Sequence, residues 1–472
     1  MIITRHINHC FMYKKILPVV LFFCASYLQA QEDSLMIKKI SDEILTNSKA
    51  YEHLRQLTKQ IGGRLAGSPQ MVQAEQWGYN LMQSSGADKA WMQSCMVPHW
   101  VRGEKEEATA YYTDPLSPTD KPSKKVLEII ALGNSIGTEK KGLKAPVMLI
   151  NSFDELEKKK NEVKDKIVFF NYKFNDTYVN TFLAYRDAGQ YRGQGPSRAA
   201  KYGAKAVIVR SMSHAADNHP HTGATRYDSA FSKIPAVAIG LQDADWLSEQ
   251  IQKGVVHVTL KTNGKFLPDT IGHNIIGELT GSEFSNEVIT VGAHLDSWDN
   301  CEGAHDDGAG CVQTIAILSA FKAIGYTPKR TIRFVLFANE ENGLRGGNKY
   351  AEEAQKENKK HILAMESDAG GFTPRSIGFT GNEEQFKKCM SWKNLIAPYG
   401  CTEIVSGGGG ADIGPLSRLF KTPTASLNPD TQRYFDIHHA RSDVFEAVNK
   451  RELELGAINM AAFIYLVDKY GL

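Results

Sequence analysis

The second half of the chain alternates short apolar runs with helical stretches, and this alternation restricts the folds that are open to it. From Asn274 onward the predicted elements are the strand Val288–Ala293, the helix Ala309–Ile324, the strand Thr331–Ala338, the helix Lys349–Lys359 and the strand Ile362–Met365. The first of these helices is mostly apolar and the second is polar. A βαβ series of this kind predicts an α/β fold in which helices cover both faces of a sheet.

Acidic residues and histidines stand at the ends of these strands or in abrupt turns. In an open α/β sheet, the site lies beyond the carboxyl ends of the strands. Carboxylates mixed with imidazoles suit zinc, and two neighbouring metals need one shared carboxylate plus two further protein ligands each. Five residues meet that count and predict a two-metal hydrolase centre: His294, Asp306, Glu341, Asp368 and His439.

Two acidic side chains beside these ligands have candidate supporting roles. Asp296 stands two residues after His294 at an extended strand end, so it can accept the second ring N–H of the imidazole. Glu340 and Glu341 are consecutive carboxylates that would repel each other unless a cation or a proton separates them. One ligand and one general base satisfy this condition, although a structural hydrogen bond and a solvated acidic turn remain the alternatives.

Two further pairs leave a choice between neighbours. Asp306 and Asp307 lie in a run of small residues before a predicted helix, where Asp307 is better explained as a helix N-cap. His438 and His439 are adjacent, and neighbours in an extended segment face opposite ways, so we expect only one of them to bind metal.

The first half of the chain has a different texture. Helical spacing predicts two helices separated by a glycine-rich connecting loop at residues 62–69, where Ser68 and Pro69 suit a cap and first turn. From about Pro122 to Phe266, short β-branched runs separated by turns predict a separate β-rich domain. Its predicted elements are the strands Val147–Ile150, Ile167–Phe170 and Ala206–Val209 and the helix Pro196–Tyr202.

Taken in order, the motifs resemble the zinc aminopeptidase-type exopeptidases with a co-catalytic di-zinc site, and within them the plasma glutamate carboxypeptidase (carboxypeptidase Q) branch. The strings that carry the resemblance are HLDSWD from His294, ANEE from Ala338, MESDAG from Met365, HHARSD from His438 and GRLAGS from Gly63. The resemblance implies a mixed sheet with helices on both faces. Within residues 122–266, the strings KIV from Lys166, AAKYGA from Ala199 and IPAV from Ile234 resemble a protease-associated domain, which is an insert common in exported peptidases. The resemblance to the exopeptidases covers nearly the whole chain after residue 30.

The resemblance also assigns roles to individual residues. It implies two Zn²⁺ ions per chain, bridged by Asp306, with His294 and Asp368 completing one site and Glu341 and His439 completing the other. His439 is preferred over His438 because it stands four residues before Asp443, which is the spacing of the family. Glu340 becomes the general base, and a cis peptide bond is expected after Asp306. Cys301, in the turn before Asp306, departs from the family pattern.

The chain divides into four predicted parts. Residues 1–30 are a signal peptide, residues 31–121 and 267–472 form the peptidase domain, and residues 122–266 form the protease-associated insert. The signal peptide is predicted from Lys14 and Lys15, the apolar run Ile16–Tyr27 and the small residues up to Ala30, and a buried N-terminal helix is the alternative. No later segment is long enough to span a membrane, so we expect a periplasmic or extracellular protein.

Charge and cysteine usage exclude some partners and frameworks. The formal charge of +2 includes three cations before Gln31 and no acid, so the exported chain carries about −1, and a nucleic-acid partner is not indicated. The five cysteines after residue 30 are odd in number and widely spaced. Cys389 and Cys401 are the nearest plausible pair outside the metal motifs, but buried free thiols are an equally good reading.

We therefore expect an exported zinc-dependent exopeptidase that hydrolyses dipeptides or short peptides. A water bridging the two metals attacks the peptide carbonyl, and Glu340 serves as its base. The alternatives are a broad aminopeptidase, a single-zinc cyclising acyltransferase and, from another class, a non-catalytic receptor-like binding protein. Asp412, after a run of glycines, either helps to hold a substrate terminus or forms a turn. A homodimer is implied by the resemblance alone.

Overall fold

A computed structural model describes residues 31–113 and 122–472. The predicted signal peptide, residues 1–30, lies outside the described residues. The strands are β1 Lys89–Val101, β2 Glu107–Tyr112, β3 Ser123–Val126, β4 Ile129–Ala131, β5 Leu143–Ile150, β6 Ile167–Phe170, β7 Ala206–Arg210, β8 Ala236–Ile239, β9 His257–Lys261, β10 Lys265–Leu279, β11 Phe284–His294, β12 Arg330–Phe337, β13 Lys360–Glu366, β14 Pro374–Thr380, β15 Glu403–Ser406 and β16 Thr424–Pro429.

The helices connect and cover these strands. They are α1 31–47, α2 Ala50–Gln56, α3 Pro69–Ser84, α4 Phe153–Lys158, α5 Thr181–Gly193, α6 Gly195–Ala200, α7 Leu241–Lys253, α8 Ala309–Ala323, α9 Arg345–Lys356, α10 Glu383–Ser391, α11 Lys393–Ile396, α12 Gly414–Phe420, α13 Tyr434–Ile437 and α14 Lys450–Tyr470. No helix within the described ranges has both the length and the apolar character needed to cross a membrane.

The first sheet has eight strands in the order β1-β10-β12-β11-β13-β16-β14-β15. Its centre, from β12 to β16, is parallel, whereas β1, β10 and β14 run antiparallel to their inner neighbours. The predicted α/β fold is confirmed as a mixed sheet. Because the central strands are parallel, the segments that follow them emerge at one edge of the sheet.

Helices cover both faces of this sheet. Along β12, Phe334 and Leu336 belong to one apolar core, together with side chains of α8 and α14. Val335 and Phe337 point the other way and pack in a second core with side chains of α9 and α12. Side chains of a strand alternate between the two faces, so a segment buried on both sides is apolar at every position, as residues 334–337 of this strand are.

The second sheet also has eight strands, in the order β3-β2-β9-β5-β6-β7-β8-β4, and its central strands β5 to β8 are parallel. The predicted strands around residues 147, 167 and 206 are all present. Its strands span residues 107–261, so the sheet begins before residue 122, where we placed the start of the insert. Ala108 and Ala110 of β2 are buried in its core, and β2 pairs with β9, which is why this segment joins the second sheet. We call residues 107–261 the second-sheet region.

The start of α3 agrees with its prediction from the sequence. Ser68 accepts a hydrogen bond from the backbone N–H of Met71 and Pro69 opens α3, which confirms the predicted helix start.

The five cysteines of the described ranges are free, including Cys389 and Cys401, and four of them are buried. Of the two alternatives for Cys389 and Cys401, the structure therefore has the buried free thiols and not a disulfide bond.

Candidate metal centre

The five predicted ligands come together at the carboxyl edge of the first sheet. His294 is the last residue of β11, Glu341 follows β12, and Asp368 follows β13. Asp306 lies in the turn before α8, and His439 lies just after α13. Four of the five are buried, and Asp368 is half-buried. Neighbouring parallel strands thus deliver side chains that are far apart in sequence to one place.

Asp306 lies between two groups of ligand atoms. Its Oδ1 is 3.1 Å from Nε2 of His294, and that same nitrogen is 3.4 Å from Oδ1 of Asp368. Its Oδ2 is 3.1 Å from Nε2 of His439, which is 3.2 Å from Oε2 of Glu341. The two carboxylate oxygens of Asp306 therefore face different partners, as a bridging ligand requires.

His438 and His439 both face the site, which corrects the expectation that these neighbours face opposite ways, whereas binding of metal by only one of them stays a prediction. The two imidazole rings stack with their centroids 3.6 Å apart, and Nε2 of His438 is 3.4 Å from Oδ2 of Asp306. The segment is not extended, because α13 ends at Ile437 and His439 has a positive φ of 62°. Alternation along a strand does not apply to this turn, so both side chains point the same way.

Asp296 supports the site differently from the prediction. Nδ1 of His294 is 2.9 Å from the backbone carbonyl oxygen of Asp296, whereas the carboxylate is 3.8 Å away. The carboxylate instead accepts the backbone N–H groups of Glu340 at 2.9 Å and Glu341 at 3.3 Å. Two N–H donors hold the carboxylate away from the imidazole, and Asp296 thereby fixes the backbone that carries both glutamates.

Asp443 holds the backbone of Asp306, a role that sequence reasoning missed. Its Oδ1 accepts the N–H of His305 at 2.8 Å, and its Oδ2 accepts the N–H of Asp306 at 3.1 Å. The peptide bond between Asp306 and Asp307 is cis, as the resemblance implied. Only the spacing of Asp443 from His439 marked this aspartate in the sequence.

Asp307 and His305 both point away from the ligand cluster. Asp307 accepts the backbone N–H of Gly310 at the start of α8 and that of His294, which fits the helix-capping role predicted for it. The ring of His305 stacks on Phe372 with centroids 4.2 Å apart. Cys301 Sγ lies 3.6 Å from the carbonyl oxygen of Trp298 and belongs to neither candidate ligand group found among the described residues.

Arg64 is the second contribution that the sequence did not reveal. It lies in the loop between α2 and α3 that we predicted only as a connection, yet its side chain is fully buried. Its guanidinium donates to backbone carbonyl oxygens of the segment between His294 and Asp306, namely Leu295 at 2.6 Å, Glu302 at 2.8 Å and Gly303 at 3.0 Å. The fork geometry of arginine lets one residue bind three carbonyls.

Electrostatics of the cluster reflect its many buried charges. Burial alone would lower the pKa of His294, but Asp368 and Asp306 hold that pKa well above its usual value. Burial would raise the pKa of Asp306, but the imidazoles of His294 and His439, each 3.1 Å from one of its oxygens, hold that pKa well below its usual value. The pKa of Glu340 is well above its usual value because of burial and because of the carboxylates of Asp368 and Glu341.

The donor set fits zinc. Asp306 Oδ2 and Glu341 Oε1 are buried and accept no hydrogen bond from any described residue. A buried acceptor without a donor is costly, and a cation satisfies it. Mixed carboxylate and imidazole ligands at these spacings suit zinc, and His294, Asp306 and Asp368 offer ligand atoms within 4.8 Å of one another.

A cavity of about 610 Å³ opens onto the ligand cluster. Glu340, Glu341, Asp306 and Asp368 line it from the side of the first sheet. The second-sheet region contributes a second wall, formed by Asn134, Phe182, Tyr185, Arg192, Ala224 and Arg226. Asp412 is fully buried and does not line the cavity, so its carboxylate is not placed to touch a ligand there.

Known proteins resemble this chain in sequence and in fold. Residues 274–464 match the sequence profile of peptidase family M28. Carboxypeptidase Q from Homo sapiens is 35% identical over 421 residues, which cover 89% of this chain and 85% of the human protein. The solved structure of a peptidase M28 precursor from Shewanella amazonensis SB2B is 31% identical with a TM-score of 0.85, covering 93% of this chain and 97% of that one.

A more distant structure shares the fold. The zinc aminopeptidase of Bacillus subtilis is 22% identical with a TM-score of 0.63, over 88% of this chain and 94% of its own. Likeness in sequence to the human protein extends through both sheets, beyond the segment that matches the family profile. From these relatives and from the ligand cluster at the sheet edge, we conclude that the chain belongs to peptidase family M28 and is a metallo-exopeptidase.

Proposed function

We propose that this chain is a two-zinc exopeptidase that hydrolyses dipeptides or short peptides and prefers substrates with a free C-terminus, like carboxypeptidase Q. The observation that carries the proposal is the position of Asp306, whose two carboxylate oxygens face separate ligand groups at 3.1 Å each. A shared carboxylate between two sets of ligands is the arrangement that co-catalytic metal pairs use.

The proposed metal ligands are those that the resemblance implies, and the distances around Asp306 support them. His294, Asp306 and Asp368 would hold one Zn²⁺, and Asp306, Glu341 and His439 would hold the other. Zinc supplies Lewis acidity, polarising a carbonyl and lowering the pKa of water. Two metals per chain distinguish the proposal from the single-zinc acyltransferase alternative, and metal analysis of the purified protein measures that number.

Glu340 is the proposed general base. It lines the cavity, and its backbone N–H is fixed by the carboxylate of Asp296 at 2.9 Å. Its carboxylate accepts a proton from the attacking water and then passes that proton to the leaving amine of the peptide.

A panel of dipeptides tests the substrate. We expect zinc-loaded protein to hydrolyse dipeptides with both ends free and to lose activity when the C-terminus is amidated. Loss of activity only on blocking the N-terminus would instead identify an aminopeptidase. No hydrolysis of any dipeptide by protein with two bound zinc ions would overturn the exopeptidase proposal in favour of the binding-protein alternative.

The remaining expectations concern the whole chain and stay proposals. Residues 1–30 act as an export signal, so mature protein from the cell envelope or medium should begin near Gln31 by mass spectrometry. We retain residues 122–266 as the proposed protease-associated insert. The second sheet, which this insert contributes to, begins earlier, at residue 107. A homodimer is tested by the molar mass of the protein in solution.

A further inference from the structure

The cavity at the metal centre has walls of opposite charge. The wall from the first sheet carries carboxylates, whereas the wall from the second-sheet region carries Arg192 and Arg226. Among the described residues that line the cavity, these two are the only arginines, and no lysine is present. Two bound Zn²⁺ ions would offset the charge of the carboxylates, whereas the charge of the two arginines remains, so an anionic part of a bound molecule is attracted by the arginines.

Arg192 lies immediately behind a proposed metal ligand. Its Nη1 is 3.5 Å from Nδ1 of His439, the ring nitrogen opposite the one that faces Asp306. The guanidinium is held in place, since Nη2 donates to the hydroxyl of Tyr185 at 2.6 Å and Nη1 donates to the carbonyl of Thr222 at 3.3 Å. Arg192 is therefore a positioned cation one imidazole ring away from the ligand cluster.

Arg192 also has hydrogen-bonding capacity to spare. An arginine has five N–H donors, and its Nε is buried without a partner among the described residues. The neighbouring Gly223 has a φ of +130°, and a Cβ added there would lie 2.4 Å from Nη1 of Arg192. Only glycine lets the chain pass this close, so the local backbone is shaped around the guanidinium.

Arg226 stands beside Arg192 and is free. Its backbone N–H donates to the carbonyl of Gly193 at 2.9 Å, which ties it to the end of α5 next to Arg192. Its side chain is exposed toward the cavity and forms no hydrogen bond or ion pair with the part of the chain that the structure describes. A free guanidinium offers the bidentate donor pair that matches a carboxylate.

The free C-terminus of such a substrate lies close to the bond that is cleaved. In a substrate cleaved before its last residue, one residue separates the scissile carbonyl from the terminal carboxylate, a span of roughly 3.5 Å. We propose that Arg226 and Arg192 bind the free α-carboxylate of the peptide substrate, so that the second-sheet region determines which substrate end is recognised. This inference rests on the proposed function and assigns its specificity to named residues.

Kinetics of four variants test the assignment. Zinc-loaded R226Q, R192Q and R226K proteins are compared with R186Q, whose arginine is exposed on α5 outside the cavity. The measurement is the ratio of kcat/KM for a free dipeptide to kcat/KM for its C-terminal amide. We expect R226Q and R192Q to lower this ratio about 10- to 100-fold, the effect of losing a hydrogen bond to a charged group. R226K should recover part of it, and R186Q should match the original protein.

Inhibition by products separates recognition from catalysis. A free amino acid should inhibit the original protein more strongly than its amide, and R226Q should abolish that difference. Unchanged ratios and inhibition in R226Q and R192Q, with hydrolysis intact, would overturn the arginine assignment while leaving the exopeptidase proposal standing. Failure of the original zinc-loaded protein to cleave any dipeptide would overturn both. Because Arg192 contacts His439, the zinc content of R192Q is measured as well, and Arg226 decides the outcome.

Discussion

At the scale of the residue, the site depends on carboxylates placed where a carboxylate alone would be unfavourable. Asp306 is 4% exposed and Glu341 is 7% exposed, and each has an oxygen without a hydrogen-bond donor in the described ranges. Asp296 and Asp443, in contrast, each accept hydrogen bonds from two backbone N–H groups with their two carboxylate oxygens. Carboxylates with an oxygen lacking a donor lie at the proposed metal positions, whereas carboxylates with both oxygens hydrogen-bonded hold the backbone around them.

Substituting Glu340 by glutamine tests the base. Glutamine has nearly the same shape but cannot accept the proton, so we expect kcat to fall roughly 10²- to 10⁴-fold. Zinc content should stay at two per chain because Glu340 is not a proposed ligand. Steady-state kinetics with parallel metal analysis measure both quantities, and Glu352→Gln on the exposed face of α9 is the control. Retention of most of the activity in Glu340→Gln would exclude Glu340 as the base.

His361, at the start of β13, predicts a pH dependence of stability away from the site. It is 5% exposed, and neither ring nitrogen has a partner in the described part of the chain. Burial, aided by the charges of Arg333 and Lys359, lowers its pKa to about 4. In the unfolded chain the pKa is about 6.5, so between these values the unfolded state binds more protons. The resulting stability is complete above about pH 6.5 and is lost as the pH falls toward 4.

Replacing His361 by phenylalanine should remove that dependence. Phenylalanine keeps the stacking on Phe420, whose ring centroid is 5.6 Å away, and cannot take up a proton. The free energy of unfolding of H361F relative to the original protein should rise by up to about 3 kcal/mol between pH 7 and pH 4. Denaturant titrations at several pH values measure it, with His257→Phe on β9 as control. A difference that is constant with pH would contradict the prediction.

At the scale of the element, short irregular segments place the ligands that the strands bring near. The strand ends supply His294, Glu341 and Asp368, but Asp306 and His439 lie in turns. The turn of Asp306 is held from one side by Asp443 and from the other by Arg64 of a distant loop. Regular structure sets the general position of the site, and buried polar contacts set its geometry.

Arg64→Lys tests the support from the α2–α3 loop. A lysine ammonium keeps the charge but cannot reach three carbonyls in the fork geometry, so buried acceptors lose their donors. We expect a loss of about 1 to 3 kcal/mol in the free energy of unfolding, and weaker zinc binding. The control is Arg55→Lys, whose arginine forms an exposed ion pair with Glu52. Unchanged zinc affinity in Arg64→Lys would show that the loop does not support the centre.

The helix α9 shows why boundaries were harder to predict than elements. The sequence predicted a helix at 349–359, whereas α9 spans Arg345–Lys356. Gly346 and Gly347 argue locally against helix, since glycine is unfavourable there by roughly 1 kcal/mol. In the structure a Cβ at Gly346 would lie 2.3 Å from the carbonyl oxygen of Ala338. The helix packs so closely on the end of the preceding strand that only glycine fits at this position. This packing outweighs the low helix propensity of glycine.

At the scale of the whole molecule, bound metal should contribute to stability. Several buried carboxylates converge at the sheet edge, and like charges there repel when no cation separates them. We expect chelation to lower the melting temperature and zinc to restore it. At a free zinc concentration 1,000 times Kd, zinc binding should raise the free energy of unfolding by about 4 kcal/mol. Thermal unfolding over a zinc titration measures this, and Asp306→Asn should show a much smaller shift. A melting temperature independent of chelator and zinc would contradict a metal centre.

The α/β alternation could be predicted from local patterns, because strand period and helix period can be read along the chain. The candidate ligands were suggested by residue type at strand ends and turns, and the choice of Asp306 as bridge and of His439 over His438 came from the family resemblance. Only the tertiary structure decided that His438 joins His439 at Asp306, that Asp443 and Arg64 hold the turn, and that two arginines of the second-sheet region face the centre. These contacts join residues that are distant in sequence or lie in turns, where no periodicity reports the direction of a side chain.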